Sequence, residues 1–513
     1  MGNLRYKIKC SNCKYEYWNS LITEESSCKY CSKIADSKLK DMIPLVDIIE
    51  EVPVLKLLAE YVQKENIEAY VVGGYVRDSL LKRASKDIDI VCVGSSGIAL
   101  AEGFAKAIGR TSAVEFFPNF GTAHFIWEGV ELEFVGARRE SYDRGSRKPV
   151  VEDGTMADDQ NRRDFTINAM AVSLNKANYG HLIDRFDGLS DLNMGIIRTP
   201  VDPDITFSDD PLRMFRAVRF ASRYGFEIES KTKAAIIKNK ERISILSMER
   251  IAGELNKMLS IDKPSKAFYL LDEVGLLESI LPELTALKGV EVKDGVSHKD
   301  NFIHTLQVLD NAAEASSNLW FRWTALLHDI GKGPTKRFTH NKWTFQLHED
   351  LGFDMVRTVF TRLKLPLDSK MEYVQLITKF HGTPKKLVDD GVTDSAVRRL
   401  CVNIGDHLDD LILFCQCDIT TSFLDKKLMY IQRFNDLKVR TNFVKERDNL
   451  ENFKIPVSGD EIMKLYSLKP GREIGIIKAA VKEAILEGTL LNDRTATLGF
   501  IETYILHLQH SKV

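Results

Sequence analysis

The chain changes character near Ser208, and this change limits its architecture more than any other feature. From Ala69 to about Leu174, short runs rich in β-branched and aromatic residues alternate with helical stretches, which indicates an α/β or α+β domain. After Ser208, proline and glycine are sparse, and apolar residues recur at helical spacing to the end of the chain. We therefore expect an α+β head followed by an all-helical body. The predicted strands of the head are AYVVGG, DIDIVCV, TAHFIW and VELEFVG.

Size and composition set the broad class of the protein. With 513 residues the chain is too long for one hydrophobic core, and 44% hydrophobic with 28% charged residues is typical of a soluble globular protein. No apolar run could span a bilayer, and the first ten residues, MGNLRYKIKC, lack the apolar core of a signal peptide. We therefore expect a cytoplasmic protein with no membrane partner.

The formal net charge of −2 gives no global field that would attract a polyanion. Any contact with nucleic acid must then come from local basic clusters. One such cluster comprises Arg138, Arg139, Arg144, Arg147 and Lys148.

Four of the eight cysteines form two C-x2-C pairs near the N-terminus, Cys10 with Cys13 and Cys28 with Cys31. Thiolates at this spacing suit a tetrahedral Zn²⁺ ion, and so short a segment needs a metal to become ordered. The sequence therefore predicts a zinc ribbon over residues 1–36. The remaining cysteines are predicted to be packing residues: Cys92, Cys401, Cys415 and Cys417.

A double glycine, Gly73 and Gly74, follows the first predicted strand and precedes a helical segment. Glycines there allow backbone N–H groups to approach a phosphate, and a helix start favours negative charge. Asp87 and Asp89 follow on the next strand, where residues two apart share a face. Two carboxylates held side by side repel each other unless a cation lies between them. The pattern predicts a paired Mg²⁺ site for a nucleotidyl transfer.

A third carboxylate for this site is available on the strand VELEFVG, where Glu131 and Glu133 share one face. Either side chain could reach the metals from that face. We favour Glu133 as the third catalytic carboxylate, beside Asp87 and Asp89.

The stretch 209–226 predicts an amphipathic helix with an arginine stripe. Pro211 suits the first turn, capped by Ser208, Asp209 or Asp210. At about 100° per residue, four arginines fall on one arc of roughly 120°. A nucleoside triphosphate is the obvious anion for such a stripe, because guanidinium groups match phosphate oxygens. The four residues are Arg213, Arg216, Arg219 and Arg223.

Six ordered motifs together resemble one known family. The double glycine and the D-x-D strand are similar to the DNA-polymerase-β nucleotidyltransferase superfamily. The full set, which runs from about residue 50 to the C-terminus, resembles the bacterial tRNA nucleotidyltransferase/poly(A) polymerase family, the class II CCA-adding enzymes. The motifs are GGYVRDSLL (73–81), KDIDIV (86–91), NRRDFTINAMAV (161–172), DGLSDL (187–192), DDPLRMFRAVRFASRYGF (209–226) and MERIAGEL (248–255).

The resemblance implies roles for individual residues. Asp210 and Arg213 would read the incoming base as a protein template, because a carboxylate acceptor and a guanidinium donor match the edges of both C and A. Arg163 and Asp164 would hold the triphosphate and the ribose. In the ERxxxE element, Glu249, Arg250 and Glu254 are interpreted as an ion-pair brace. The complete candidate nucleotide-binding set is Gly73, Gly74, Arg77, Asp78, Arg163, Asp164, Asp210, Arg213, Arg216 and Arg219.

The helical body carries a second candidate site. His304 precedes an adjacent His328–Asp329 pair, and Asp418 lies further on in a helical context. This order resembles the HD phosphohydrolase superfamily, and its mixed nitrogen and oxygen ligands suit a divalent metal that activates water. His348 and His381 could complete a second metal site. The resemblance implies hydrolysis of phosphoesters such as terminal 2′,3′-cyclic phosphates.

Together these patterns predict a CCA tRNA nucleotidyltransferase that binds tRNA, CTP and ATP and uses Mg²⁺ in the head. A poly(A) polymerase or an enzyme adding only CC or only A would share the same motifs. A metal-dependent HD phosphohydrolase and a non-catalytic RNA-binding adaptor are the more distant alternatives. The predicted domains are a zinc ribbon (1–36), a nucleotidyltransferase head (50–200), a helical neck (201–285), an HD domain (286–440) and a helical tail (441–513).

Overall fold

The computed structural model describes residues 6–9, 16–19, 45–118, 121–141, 150–390, 393–450 and 453–510. The described residues fall into two compact units. The first unit runs to Met258 and includes Tyr269–Leu276, and the second comprises Leu259–Phe268 and the residues from Leu277 onward. The four cysteines of the predicted zinc ribbon, Cys10, Cys13, Cys28 and Cys31, lie outside the described residues.

The strands of the first unit build one main sheet and three small ones. The main sheet has seven strands in the order β11-β10-β3-β4-β7-β6-β5, and β4 is parallel to β7. The strands are β1 (Tyr6–Lys9), β2 (Glu16–Asn19), β3 (Glu68–Val72), β4 (Asp87–Val93), β5 (Val114–Phe117), β6 (Thr122–Trp127), β7 (Val130–Gly136), β8 (Arg138–Ser141), β9 (Val150–Asp153), β10 (Ala171–Ser173), β11 (Leu182–Ile183), β12 (Ile196–Ile197) and β13 (Glu227–Ile228).

Helices pack against the main sheet, and further helices follow its last strand along the chain. The helices of the first unit, with the two that extend into the second, are α1 (Val46–Glu50), α2 (Pro53–Glu65), α3 (Gly74–Leu80), α4 (Gly97–Ala107), α5 (Met156–Asn161), α6 (Gly188–Met194), α7 (Pro203–Asp209), α8 (Leu212–Tyr224), α9 (Ser230–Asn239), α10 (Met248–Leu259) and α11 (Ser265–Glu273).

Alternation along the central strands positions the site. Ile88 and Ile90 of β4 are 1% and 0% exposed, whereas Asp87 and Asp89 point to the other face. Beneath the sheet, Phe104 of α4 packs its ring 5.6 Å from that of Phe125. The apolar half of each strand is therefore fixed in a core, and this fixes the direction of its polar half.

The second unit is mostly helical, as predicted, but it also contains two β-hairpins that the sequence analysis missed. The prediction of an all-helical body after Ser208 was therefore wrong at β13 in the first unit and at residues 292–297 and 337–344 in the second, where runs of only two or three extended residues are too short for a period-two pattern. The strands are β14 (Val292–Lys293), β15 (Val296–Ser297), β16 (Arg337–Thr339) and β17 (Lys342–Thr344).

The helices of the second unit surround the HD-type residues and then form a C-terminal bundle. They are α12 (Leu277–Ile280), α13 (Pro282–Thr285), α14 (Asn301–Ala315), α15 (Leu319–Leu327), α16 (Lys332–Thr335), α17 (His348–Leu363), α18 (Ser369–Phe380), α19 (Thr383–Asp390), α20 (Asp394–Ile404), α21 (Leu408–Cys417), α22 (Leu424–Arg447), α23 (Gly459–Tyr466), α24 (Arg472–Glu487) and α25 (Arg494–His510). Among the described residues, no helix combines the length and apolar composition needed to cross a bilayer.

The fold class is thus α+β, with a mixed sheet in the first unit and helices dominating the second. The predicted packing role of the four remaining cysteines is confirmed, because Cys92, Cys401, Cys415 and Cys417 are all buried. Burial raises the pKa of the Cys92 thiol to about 11, so it is not poised for thiolate chemistry.

Candidate active site and metal centre

Acidic residues of two neighbouring strands lie side by side at the open face of the sheet. In the parallel pairing of β4 with β7, Asp87 lies opposite Glu131 and Asp89 lies opposite Glu133. Paired residues of a sheet project to the same face, so all four carboxylates share it. Glu133 also has a neighbour on β6, since His124 Nε2 lies 3.8 Å from Glu133 Oε1.

The electrostatics of Asp89 fit a site for a divalent cation. Burial raises the pKa of the Asp89 carboxyl, Arg163 opposes this shift, and the negative charges of Glu133 and Asp87 raise the pKa further. A carboxylate that is destabilised by its acidic neighbours is stabilised by a cation placed among them. The oxygen-only donor set of Asp87, Asp89 and Glu133 suits a hard divalent ion.

The double glycine leaves room beside these carboxylates. Gly73 has a backbone φ of +74°, which residues with a side chain rarely adopt, and it forms the N-cap of α3. A Cβ at this position would lie 2.9 Å from Arg163 Nη1 and 3.1 Å from Asp89 Oδ2. The absence of a side chain therefore allows the backbone to lie close to both Arg163 and Asp89.

A cleft of about 640 Å³ opens over this face of the first unit and brings most of the predicted residues together. It collects every member of the predicted nucleotide-binding set together with Asp87 and Asp89, whereas Glu131 and Glu133 are not among its lining residues. The cleft also includes Arg223 of the predicted stripe and Arg250 of the predicted brace, whereas the sequence analysis assigned no role to several other lining residues: Tyr75, Lys86, Arg162, Asn168 and Phe220.

Arg77 and Asp78 form a buried brace at the cleft wall. Arg77 Nε and Nη2 each donate to an Asp78 carboxylate oxygen at 2.9 Å, and Arg77 Nη1 donates to Asn168 Oδ1. Tyr224 Oη also donates to Asp78 Oδ1 at 2.9 Å, and the Arg77 guanidinium lies 5.0 Å from the centre of the Phe220 ring. These contacts connect α3 with α8. They therefore hold the Gly73–Gly74 turn in a fixed position relative to the arginine stripe.

Asp164 is held ionised at the centre of the site. Its Oδ2 accepts from Arg216 Nε at 2.6 Å, and its Oδ1 accepts from the Phe165 N–H and from Asn168 Nδ2, both at 2.9 Å. Burial opposes ionisation, but the Arg216 charge and the hydrogen bonds hold the pKa of Asp164 at about 2. Asp164 therefore fixes the direction of an arginine of the stripe.

Asp159 is a functional candidate that the sequence analysis missed. It is fully buried, its Oδ1 accepts from Arg162 Nε at 2.9 Å, and its Oδ2 accepts from Arg163 Nε at 3.0 Å. Arg162 and Arg163 oppose the effect of burial and lower the pKa of the Asp159 carboxyl. The spacing of three and four residues on a helix pattern was the available signal.

The start of α8 places the predicted base-reading pair. Pro211 is the N-cap of α8, and Asp210 Oδ1 accepts from the Leu212 N–H at 3.1 Å, so Asp210 caps the helix as expected. Arg213 Nη2 donates to the Arg162 carbonyl oxygen at 2.6 Å. The carboxylate of Asp210 also lies 4.0 Å from Arg250 Nη2.

The arginine stripe is braced from α10. Arg219 Nε donates to Glu254 Oε2 at 2.5 Å, and both side chains are buried, at 6% and 3% exposure of the residue. Glu254 thus pairs with the stripe, and Arg250 approaches Asp210, so the ERxxxE element of α10 braces α8 and the residue that caps it.

The second unit brings the predicted HD residues to one point. His304 of α14, His328 after α15 and Asp418 after α21 offer ligand atoms that all lie within 4.8 Å of one another. Asp329, His348 and His381 form a second group with the same property. Both predicted sets are therefore brought together.

Asp329 lies between the two groups. Its Oδ2 is 3.2 Å from His328 Nε2 and 3.7 Å from His304 Nε2, whereas its Oδ1 is 3.6 Å from both His348 Nε2 and His381 Nε2. Lys332 Nζ donates to Asp329 Oδ2 at 2.6 Å. Despite burial, His328 and Lys332 hold the pKa of Asp329 well below its usual range.

The tautomers of the histidines fit a metal site. Nδ1 of His328, of His348 and of His381 each lies 2.6 to 2.9 Å from a backbone carbonyl oxygen, which fixes the proton on Nδ1. The Nε2 lone pairs then face Asp329, and His328 Nε2, His348 Nε2 and Asp329 Oδ1 are buried without a hydrogen-bond partner. Such a cluster of acceptors is stable only around cations.

Three family models match the chain. They are the poly A polymerase head domain over residues 69–198, the probable RNA and SrmB-binding site of polymerase A over residues 225–288, and the HD domain over residues 301–409. The head-domain match includes Asp87 and Asp89, and the HD-domain match includes His304, His328 and Asp329, so the two matches fall on the two sites described above.

Individual relatives agree with these models. A Multifunctional CCA protein of Pseudoalteromonas atlantica is 32% identical over 446 residues, which covers 83% of this chain and 98% of that protein. An A-adding tRNA nucleotidyltransferase of Aquifex aeolicus is 39% identical over 236 residues, covering 44% of this chain and 28% of that protein. A solved tRNA nucleotidyltransferase complexed with a primer tRNA and an incoming ATP analog is 25% identical, with a TM-score of 0.51 and coverage of 74% of this chain and 99% of that chain.

The sheet, the paired carboxylates and the arginine cleft define a nucleotidyltransferase of the polymerase-β type. The chain belongs to the bacterial tRNA nucleotidyltransferase/poly(A) polymerase family, and it carries an HD domain.

Replacing Asp329 with Asn should weaken divalent-metal binding at the HD cluster by roughly 100-fold or more, because one carboxylate faces both histidine groups. Calorimetric titration of the metal-free protein with Ni²⁺, Mn²⁺ and Zn²⁺ measures this. The matched control is His340→Asn, which removes an exposed imidazole outside the cluster. Equal affinities in the wild type and the Asp329→Asn variant would contradict the assignment.

Proposed function

We propose that this protein adds C, C and A, from CTP and ATP, to the 3′ end of tRNA without a nucleic-acid template. The observation that supports this most is the cleft of the first unit, in which Asp87 and Asp89 share a wall with Gly73 and Gly74, and an arginine stripe faces them. The relative that matches 83% of this chain is named a Multifunctional CCA protein.

The carboxylates would hold the metal. Asp87, Asp89 and Glu133 would bind Mg²⁺, which would supply charge neutralisation for the attacking 3′-hydroxyl and for the leaving pyrophosphate. The primer oxygen forms a bond to the α-phosphorus of the nucleotide, and the bond from that phosphorus to the pyrophosphate oxygen breaks.

Arginines of this chain would hold the triphosphate. Arg163 lies at the Gly73 turn and is aimed by Asp159, and Arg216 is aimed by Asp164. Each anchor leaves further N–H groups of the guanidinium for phosphate oxygens. Positioning of the α-phosphate by groups that are already fixed lowers the entropic part of the barrier.

Base selection would lie at the start of α8. Asp210 offers a carboxylate acceptor and Arg213 a guanidinium donor, and C and A present complementary donors and acceptors on their pairing edges. The bond from Arg213 to the Arg162 carbonyl limits the rotation of its side chain. Asp164 Oδ2 can also accept from a ribose 2′-hydroxyl while still holding Arg216, because this oxygen has a second lone pair.

The decisive experiment is primer extension on tRNA transcripts that lack CCA, CA or A. Each labelled nucleotide is supplied with Mg²⁺, and the wild type is compared with Asp87→Ala. We expect ordered incorporation of C, C and A that stops there, and a loss of about 10³-fold or more in the variant.

The alternatives give different products in the same assay. Long A tails would identify a poly(A) polymerase, and incorporation limited to C or to A would identify a partial enzyme. An RNA-binding adaptor would retain tRNA binding and incorporate nothing in the wild type. Any of these results would overturn CCA addition.

Replacing Asp159 with Asn should raise KM for CTP and ATP by about 10- to 100-fold with a smaller change in kcat, because Arg162 and Arg163 lose their buried anion. Steady-state kinetics with each nucleotide measures this. Asp153→Asn makes the same chemical change at an exposed residue of β9 and serves as the control. An unchanged KM in the Asp159→Asn variant would remove its positioning role.

We infer a second activity, phosphoester hydrolysis, at the HD cluster. Its two groups of ligand atoms around Asp329 suit a metal-activated water. The hydrogen bond from His328 Nδ1 to a backbone carbonyl oxygen leaves the Nε2 atom free to bind a metal. An RNA ending in a 2′,3′-cyclic phosphate should be hydrolysed by the wild type and by Asp87→Ala but not by Asp329→Asn. Loss in Asp87→Ala as well would place the activity in the head instead.

Two further assignments rest on the sequence alone. Zn²⁺ bound by Cys10, Cys13, Cys28 and Cys31 would order residues 1–36. We also propose that the protein works in the cytoplasm, where tRNA and nucleoside triphosphates are available.

A further inference from the structure

The segment that joins Asp329 to His348 has an unusual charge composition. From Gly331 to Leu347 every charged side chain is a cation: Lys332, Lys336, Arg337 and Lys342. The same segment carries three aromatic residues, Phe338, Trp343 and Phe345, and it folds as the hairpin β16–β17. Cations interleaved with aromatic rings are the composition of surfaces that bind single-stranded nucleic acid.

The rings of this hairpin are fixed in place. Trp343 Nε1 donates to the Val296 carbonyl oxygen of β15 at 3.0 Å, and the Trp343 ring lies 5.0 Å from that of His298. Phe338 packs 5.1 Å from Trp343, and Lys293 Nζ lies 5.2 Å from the Phe338 ring centre. A half-buried indole held by its N–H presents a rigid surface, and binding to it costs little side-chain entropy.

The charges of the hairpin are only partly neutralised within the protein. Lys336 pairs with Glu291. The exposed Arg337 donates to the carbonyl oxygens of Pro334 and Lys336, which leave its positive charge in place. Lys342 is exposed near the tip of the same hairpin.

Both ends of the segment contact residues of the HD cluster, the two groups of candidate metal ligands around Asp329. At the first end, Lys332 Nζ donates to Asp329 and lies 5.8 Å from the Phe345 ring centre. At the second end, the Phe345 carbonyl accepts from His348 Nδ1 at 2.8 Å. The hairpin is therefore joined at both ends to ligand residues of the HD cluster, Asp329 and His348.

We propose that the β16–β17 hairpin, with Lys293, is an RNA-binding surface that holds a single strand so that its 3′-terminal phosphate reaches the HD cluster. The partner is a single-stranded RNA end, recognised by its phosphates through Arg337 and Lys342 and by base stacking on Trp343. This surface lies in the second unit and is separate from the nucleotidyl-transfer cleft. Its RNA contacts are independent of nucleotide addition.

The test uses the full-length protein and a fluorescein-labelled single-stranded RNA that ends in a 3′-phosphate, so that it cannot serve as a primer. Its last nucleotide is 4-thiouridine, which cross-links on irradiation. Fluorescence anisotropy across a range of salt concentrations compares the wild type with the double variant Arg337→Ala/Lys342→Ala. The matched control is Arg357→Ala/Lys370→Ala, which removes the same two charge types from exposed positions on α17 and α18.

We expect the hairpin variant to bind more weakly and with a shallower salt dependence, its slope reduced by about 1.4 for two phosphate contacts at about 0.7 each. The control should match the wild type, and the cross-link should map between Lys336 and His348. Trp343→Leu should weaken binding without changing the slope, since stacking carries no counterion release.

Equal affinity and slope in the hairpin variant and the control would overturn the proposal, as would cross-links confined to the first unit. Binding of an acidic protein but not of the RNA would also overturn it. Nucleotide addition measured on the same preparations separates RNA binding by the hairpin from CCA addition by the first unit. Normal CCA addition in the hairpin variant is expected, and a failed primer-extension assay leaves the hairpin result fully interpretable.

Discussion

The parallel pairing of β4 with β7 is the interaction on which the first unit depends. Its register places Asp87 beside Glu131 and Asp89 beside Glu133, and a slip of either strand by one residue would turn the carboxylates of that strand into the core. Ile88 and Ile90 prevent that slip because their side chains are already in the core. The acidic face of the sheet is therefore a consequence of its apolar face.

The cleft next to that face is lined by many arginines, and most of these arginines are paired with a carboxylate of the first unit. Asp78, Asp164 and Glu254 each hold one arginine, and Asp159 holds two. Guanidinium groups taken out of water need such partners, and the partners also determine where the remaining N–H groups point. The anionic residues of the cleft thus prepare the arginines to receive a more highly charged anion.

Much of the site could be predicted from the sequence because it follows local periodicity. The strand alternation that places Asp87 with Asp89, and the helical spacing of Arg213, Arg216 and Arg219, need no tertiary information. Partners from distant parts of the chain were not predictable in this way. The pairing of Arg219 with Glu254 and that of Arg216 with Asp164 depend on how distant segments pack.

The fold was predictable to a similar depth. Four strands of the central sheet were predicted nearly to the residue, because β4 and β7 alternate with a period of two and all four are rich in β-branched and aromatic residues. The short strands β10 and β11 and the two hairpins between β14 and β17 were missed, since two or three residues give no such pattern. The HD residues were found by their order along the chain, whereas the position of Asp329 between two histidine groups required the structure.

The ligands of the HD cluster come from the ends of five different helices, α14, α15, α17, α18 and α21. A cation bound there would act as a non-covalent cross-link between segments that are far apart in the chain. Its binding free energy would add to the folding free energy of the second unit, in proportion to the logarithm of the free metal concentration. The metal supply of the cell would then affect the stability of this unit as well as any chemistry at its HD cluster.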